Sequence, residues 1–179
     1  VKVEVAPQAT TAERVEQYAT HVNQREKQAL LTLTLRDEDI ERALIFSRTK
    51  HGADKIVRFL AGAGIEAAAI HGNKSQPQRE AAMRAFRDGQ IKYLVATDIA
   101  ARGIDIPAVS HVFNFDLPNV PEQYVHRIGR TARAGASGIA VSFVNEADER
   151  GYLRSIEKLT GIKLTPRPLP EGFVAEAEK

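Results

Sequence analysis

Three arginines crowd one glycine in the eight residues His126-Arg127-Ile128-Gly129-Arg130-Thr131-Ala132-Arg133. Arginine is permanently charged, and its planar fork matches the oxygens of a phosphate. Arg130 and Arg133 are three apart, so on a helical turn they project from one face. Two forks aimed at one point can neutralise the charge that develops on a transferring phosphoryl group. The same spacing also suits a solvated basic face, the common fate of a charge run.

Three further segments carry groups that can meet a phosphate or a sugar. Ala96-Thr97-Asp98-Ile99-Ala100-Ala101-Arg102-Gly103-Ile104-Asp105 reads as a strand ending in Thr-Asp, a short helical excursion and a turn at Gly103. The Thr97 hydroxyl and the N–H groups of the turn suit a polynucleotide phosphate, and the Asp105 carboxylate suits a ribose hydroxyl. Asp98 serves equally well as a helix cap or as a ligand. In His71-Gly72-Asn73-Lys74-Ser75-Gln76-Pro77-Gln78-Arg79, Ser75 and Gln78 form a capping box, and Pro77 lies in the first turn. A helix start of this kind attracts anions, here beside Gly72, where a ligand backbone can approach closely. Arg79 shares a helix face with Met83 and Phe86 and is expected to pair with a carboxylate or a phosphate. Phe46-Ser47-Arg48-Thr49-Lys50-His51 offers hydroxyls and cations to a nucleic-acid backbone, although a helix cap accounts for Thr49 nearly as well.

Absent are a GxxxxGK[ST] phosphate loop and an Asp-Glu pair at a strand end to hold magnesium and water. The chain thus holds arginines that can finish a phosphoryl-transfer site but lacks the parts that begin one. That is the logic of an arginine finger acting across an interface.

Positioning these groups falls to a regular alternation. Ala43–Phe46, Ala67–Ile70, Tyr93–Ala96, His111–Asn114 and Ile139–Val144 are short apolar runs, with helices predicted over 51–63, 76–88 and near 146–159. Continuous apolar strands between helices predict a mainly parallel sheet covered on both faces, a three-layer α/β/α domain. Ligands bind beyond the carboxyl ends of such strands. Those ends read Ser47-Arg48-Thr49, His71-Gly72-Asn73, Thr97-Asp98 and Asn114, which predicts a single functional edge; turn residues at strand ends are the alternative. Ahead of this core, Val1, Val3 and Val5 alternate as a strand would, a weaker extended run covers Val15–Val22, and 24–36 reads as a helix. Residues 1–23 are expected to be a lead-in packed on the domain, 24–164 the domain, and 165–179, with Pro166, Pro168 and Pro170, a linker or tail.

Length and composition agree. A chain of 179 residues, 43% hydrophobic, suits one domain. No apolar run approaches the roughly 18 residues of a membrane span, and no stretch has the layout of a signal peptide. With no cysteines there are no disulfides or thiolate sites, which fits a cytoplasmic protein. The net charge is only +2 (25 basic, 23 acidic), so any nucleic-acid site must come from local placement of charge. The five histidines lack metal-ligand spacing, so no metal site is expected from this chain alone.

Over residues 24–160 these segments, in this order, resemble the C-terminal RecA-like domain of a DEAD-box RNA helicase. Ala43–Lys50 resembles motif IV. His71–Arg79 with Phe86-Arg87-Asp88-Gly89 resembles the block that follows it. Ala96–Asp105 resembles motif V and His126–Arg133 motif VI. The opening His126-Arg127 is similar to the DEAD-box form of that motif, which related helicase groups usually begin with Gln, and the wording IHGNKSQ and LPNVPEQYVHRIGR resembles the bacterial RhlE-type members. The resemblance implies ATP and Mg2+, both held mainly by an N-terminal RecA-like domain that would be the partner of this one, with RNA as the other partner. It implies that Arg130 and Arg133 contact the γ-phosphate, Arg133 as the finger, and that Asp105 binds the ribose on a turn shaped by Gly103. Thr49, Gly72 and Thr97 would contact the RNA backbone, with Arg79 beside them. Asp98 and His126 would couple closure over ATP to RNA binding. Members usually carry Gly where Ala132 stands, and alanine disfavours a φ > 0 conformation there. The alternative is a non-catalytic RNA- or partner-binding module that keeps the fold; it needs Thr97 and Gly72 but no γ-phosphate finger.

Overall fold

The structure, a computed structural model, describes residues 14–132 and 137–179. The predicted strand at Val1–Val5 and Arg133 lie outside the described residues. The strands are β1 (Val15–His21), β2 (Ala43–Phe46), β3 (Ala67–Ile70), β4 (Tyr93–Ala96), β5 (His111–Asn114), β6 (Gly138–Val144) and β7 (Thr165–Pro166). They form one sheet in the order β3–β4–β2–β5–β6–β1–β7, and each recorded pairing is parallel. The helices are α1 (Lys27–Asp37, entered through a 3-10 turn at Gln24–Glu26), α2 (Lys50–Gly62), α3 (Gln76–Arg87), α4 (Asp98–Arg102), α5 (Pro121–Ile128), α6 (Glu146–Thr160) and α7 (Phe173–Ala177).

Successive strand residues face opposite sides, and β2 shows the result. Leu44 and Phe46 join a core with Met83, Phe86, Tyr124, Ile128 and Ile156 from α3, α5 and α6. Ala43 and Ile45 join the opposite core with Leu30, Leu31, Ile56, Leu60 and Phe173 from α1, α2 and α7. The predicted three layers are present, with β2 buried on both faces.

Local chemistry starts the helices that matter for the site. The Thr49 hydroxyl accepts from the Gly52 amide at 3.0 Å and caps α2. Ser75 and Gln78 form the predicted capping box of α3, with Pro77 in its first turn. Asn145 caps α6, and three acidic residues stand in its first turn, against the positive end of the helix dipole.

Past Thr165 the structure departs from the irregular chain that the prolines predict. Thr165 and Pro166 pair with Tyr18 and Ala19, the Arg167 amide donates to the Ala19 carbonyl at 2.9 Å, and α7 packs on α1 with Phe173 buried. Burial of one phenylalanine contributes about 1.5–3 kcal/mol, enough to hold a segment whose own backbone forms little regular structure. The prolines end the sheet but not the packing.

Candidate nucleotide and nucleic-acid site

Because the strands are parallel, Ser47, His71, Thr97 and Asn114, which follow or end β2, β3, β4 and β5, lie on one sheet edge, as the strand ends predict. A fully buried arginine organises it. Arg127, 1% exposed on α5, donates from Nε and Nη2 to the two carboxylate oxygens of Asp98, each at 2.8 Å. Its Nη1 donates to the Asp116 carbonyl at 2.6 Å and to Asn114 Oδ1 at 3.2 Å. Its guanidinium lies 4.9 Å from the centre of the Phe46 ring. Buried charge persists only when paired and hydrogen-bonded, and here one side chain binds the ends of three strands and the start of α4 to α5. Asp98 thus does not cap α4 but forms half of a fork-to-fork ion pair.

Arg130 is held differently from the sequence expectation. Helix α5 ends at Ile128 with Gly129 as its cap, so Arg130 sits in the following turn rather than on the helix itself. Its Nη2 donates to the Ala101 carbonyl at 2.9 Å, and its own carbonyl accepts from the Val109 amide at 3.1 Å. The buried Thr131 hydroxyl donates to the Val109 carbonyl at 2.5 Å. Ala132 then turns the chain at φ 57°, the left-handed conformation that alanine disfavours. Gly138 allows this: a Cβ there would stand 2.8 Å from the Ala132 amide nitrogen and closer still to the Thr131 side chain.

Helix α4 divides the edge into two clefts. One, of about 250 Å³, is lined by Asp98, Arg102, His126, Arg127 and Arg130. The other, of about 470 Å³, is lined by Gly72, Arg79, Arg87, Gly103 and Asp105, with Ile99. Gly103 and Asp105, expected beside a nucleotide, therefore share a cleft with Gly72 and Arg79, expected beside RNA, while Arg130 lies across α4 with His126 and Asp98. Thr97 precedes α4; it is 9% exposed, and its hydroxyl does not cap the helix. Thr49 stands apart, on a third cleft between α1 and α2.

In the second cleft, Arg79, expected to pair with a carboxylate or a phosphate, has no carboxylate partner among the described residues. Its Nε is buried with no hydrogen-bond partner among the described residues, and a buried donor left unmade costs about 1–3 kcal/mol. A Cβ at Gly72 or Gly103 would meet nothing within 4 Å, so neither glycine is needed for packing, and both leave exposed backbone. The Gly72 loop is anchored by the buried His71. The Asn73 amide donates to its Nδ1 at 3.1 Å, leaving Nε2 to donate to Asp54 at 2.9 Å; Lys74 stands 3.2 Å from the same carboxylate. Partial burial pushes the Asp54 carboxyl up, but the bonds from His71 and Lys74 outweigh it and hold the group below the ordinary aspartate range.

Sequence reasoning missed a second buried network behind the edge. Lys27, fully buried on α1, donates to Glu149 at 2.7 Å and to the Phe115 carbonyl at 2.7 Å. Glu149 also accepts from the Leu117 and Asn145 amides at 2.8 and 2.9 Å and from Arg48 at 2.9 Å. Among the described residues no group of His, Asp and Glu side chains is arranged to hold a metal ion, and no helix is long and apolar enough to cross a membrane.

The domain is thus a parallel α/β fold with arginines gathered on its carboxyl edge. Residues 25–135 match the model of the helicase conserved C-terminal domain. The ATP-dependent RNA helicase CshA of Listeria monocytogenes is 43% identical over 177 residues, covering 97% of this chain and 34% of that protein. The C-terminal domain of the DEAD-box protein Dbp5 superposes with a TM-score of 0.83 at 35% identity, covering 92% of this chain and 96% of that one. S. cerevisiae Dbp5 bound to RNA and ADP BeF3 superposes with a TM-score of 0.82 at 35% identity, over 91% of this chain and 44% of that one. The chain belongs to the helicase C-terminal domain family, in its DEAD-box branch, and spans about a third of the length of the curated relatives, 34% of the Listeria protein. Those relatives carry the CshA name, so the expected RhlE-type placement finds no support among them.

Proposed function

We propose that the protein works as the C-terminal half of an ATP-dependent RNA helicase, giving arginine-finger and RNA-backbone contacts to RNA-dependent ATP hydrolysis and local duplex separation. ATP brings the phosphoryl group to be transferred to water, and with Mg2+ it is held mainly by a separate N-terminal RecA-like domain. Arg130 and Arg133 meet the γ-phosphate, Asp105 accepts from the ribose on the turn at Gly103, and Thr49, Gly72, Thr97 and Arg79 hold RNA phosphates. The orphaned Arg79 Nε and the open backbone at Gly72 and Gly103 fit anionic ligands that approach closely.

One observation carries this reading, the fork-to-fork pair of Arg127 and Asp98. It fastens the helix that begins after Thr97 to the helix that delivers Arg130, so strain from RNA at one end and from nucleotide at the other falls on a single unit. His126, on the same cleft, lies where the two would meet. RNA and a nucleotide analogue bound together by S. cerevisiae Dbp5 support the same pairing of ligands here.

The test is RNA-stimulated phosphate release by the intact protein, wild type against Arg130→Ala/Arg133→Ala. The expected loss is about 10³-fold or more, the worth of an arginine finger, with the fold unchanged by circular dichroism. Equal turnover in both proteins, or RNA binding without turnover in the wild type, favours a non-catalytic binding module.

A further inference from the structure

The third cleft, between α1 and α2, borders the segment that resembles motif IV through Arg48 and Thr49, while Arg25 and Lys55 on its walls lie outside every segment that resembles a helicase motif. It encloses about 450 Å³ and is lined by Arg25, Arg48 and Lys55 against a single carboxylate, Asp116. That carboxylate is already satisfied: one oxygen accepts from the Arg48 amide at 3.0 Å, and the other faces the buried Lys27 ammonium at 3.7 Å. Arg48 is likewise committed, to Glu149 and the Leu117 carbonyl. Arg25 and Lys55 are exposed and make no hydrogen bond or ion pair with any described residue. Two uncompensated cations thus face one groove, as many as the net charge of +2 on the whole chain.

We propose that this groove carries single-stranded RNA onward from Thr49, with Arg25 and Lys55 each contacting one phosphate. The lining chemistry suits a sugar–phosphate chain: besides the cations it offers the amides of Gln24 and Gln28 and the Thr49 hydroxyl. A protein partner would need an exposed aromatic or aliphatic anchor, and the groove's large apolar side chains, Ile56 and Phe115, are 2% and 7% exposed. The proposal rests on the RNA reading above and adds two residues to it.

The experiment measures binding of a fluorescent oligouridylate to the intact protein over a range of salt, for wild type, Arg25→Gln/Lys55→Gln and Thr97→Val. Both exchanged cations are exposed, so the fold should be retained. Each phosphate contact on a single strand adds about 0.7 to the slope of log affinity against log salt, so the double variant should be shallower by about 1.4. It should also lose its deficit on oligonucleotides too short to reach the groove. An unchanged slope in the double variant while Thr97→Val binds weakly overturns the groove and leaves the proposed function standing. Displacement of an acidic peptide but not of RNA by the same substitutions assigns the groove to a protein partner and overturns the proposal. No RNA binding by wild type overturns both readings.

Discussion

Removing the Arg127 guanidinium would strand the Asp98 carboxylate, 17% exposed, among buried neighbours. Breaking a buried pair from one side costs about 3–5 kcal/mol. Arg127→Met should therefore lower stability by about 3 kcal/mol or more in urea denaturation, and a loss under 1 kcal/mol would show that the pair is dispensable. Sequence alone points to Arg130 and Arg133 and passes over Arg127, because charge and spacing say nothing of burial. Only the fold singles out Arg127, one residue past the exposed His126 on the helix. Ala132 makes the complementary case. An L-residue in the left-handed region costs about 1–2 kcal/mol, and a glycine there loses back about 0.4–1 kcal/mol through its freer unfolded chain. Ala132→Gly should raise stability by up to about 1 kcal/mol, whereas Gly138→Ala, overfilling the space beside Thr131, should lower it by about 1–3 kcal/mol. A urea midpoint that moves the other way in either variant would contradict the observed turn.

At the scale of elements, the loop that follows β3 depends on a carboxylate from α2. The folded Asp54 carboxyl titrates below its ordinary value, so its contribution is fully present above about pH 4 and fades as the pH falls through the lower, folded value. Glu38 adds in the same direction: burial pushes it up, but His111 and Arg167 together hold it below the ordinary range. Stability should hold from neutrality to about pH 5 and drop in acid, and Asp54→Asn should flatten that drop. An acid limb identical to wild type would remove Asp54 from the cause. The elements themselves were legible, since the strands are continuous apolar runs and the α3 start is written in Ser75, Pro77 and Gln78. Their long-range ties were not. Lys27 and Glu149 meet across 122 residues of chain, each looking like an ordinary charge on a helix face. The tail misled for a similar reason, because prolines report on local backbone and not on what Phe173 can cover.

For the whole molecule, the clefts on either side of α4 open to solvent and bring arginines without a phosphate loop. The isolated 179-residue chain should accordingly release no phosphate from ATP above background, with or without RNA, in a malachite-green assay. Measurable turnover by this chain would place the complete catalytic machinery within it.

Among the described residues β7 forms one border of the sheet, and its proline has a further consequence. The Arg167 amide bonds inward to Ala19, and alternate residues of a strand point opposite ways, so the position facing outward is Pro166. Proline has no N–H to offer. A neighbouring molecule that tried to extend the sheet at this border would find the needed donor missing, which guards the chain against edge-to-edge aggregation.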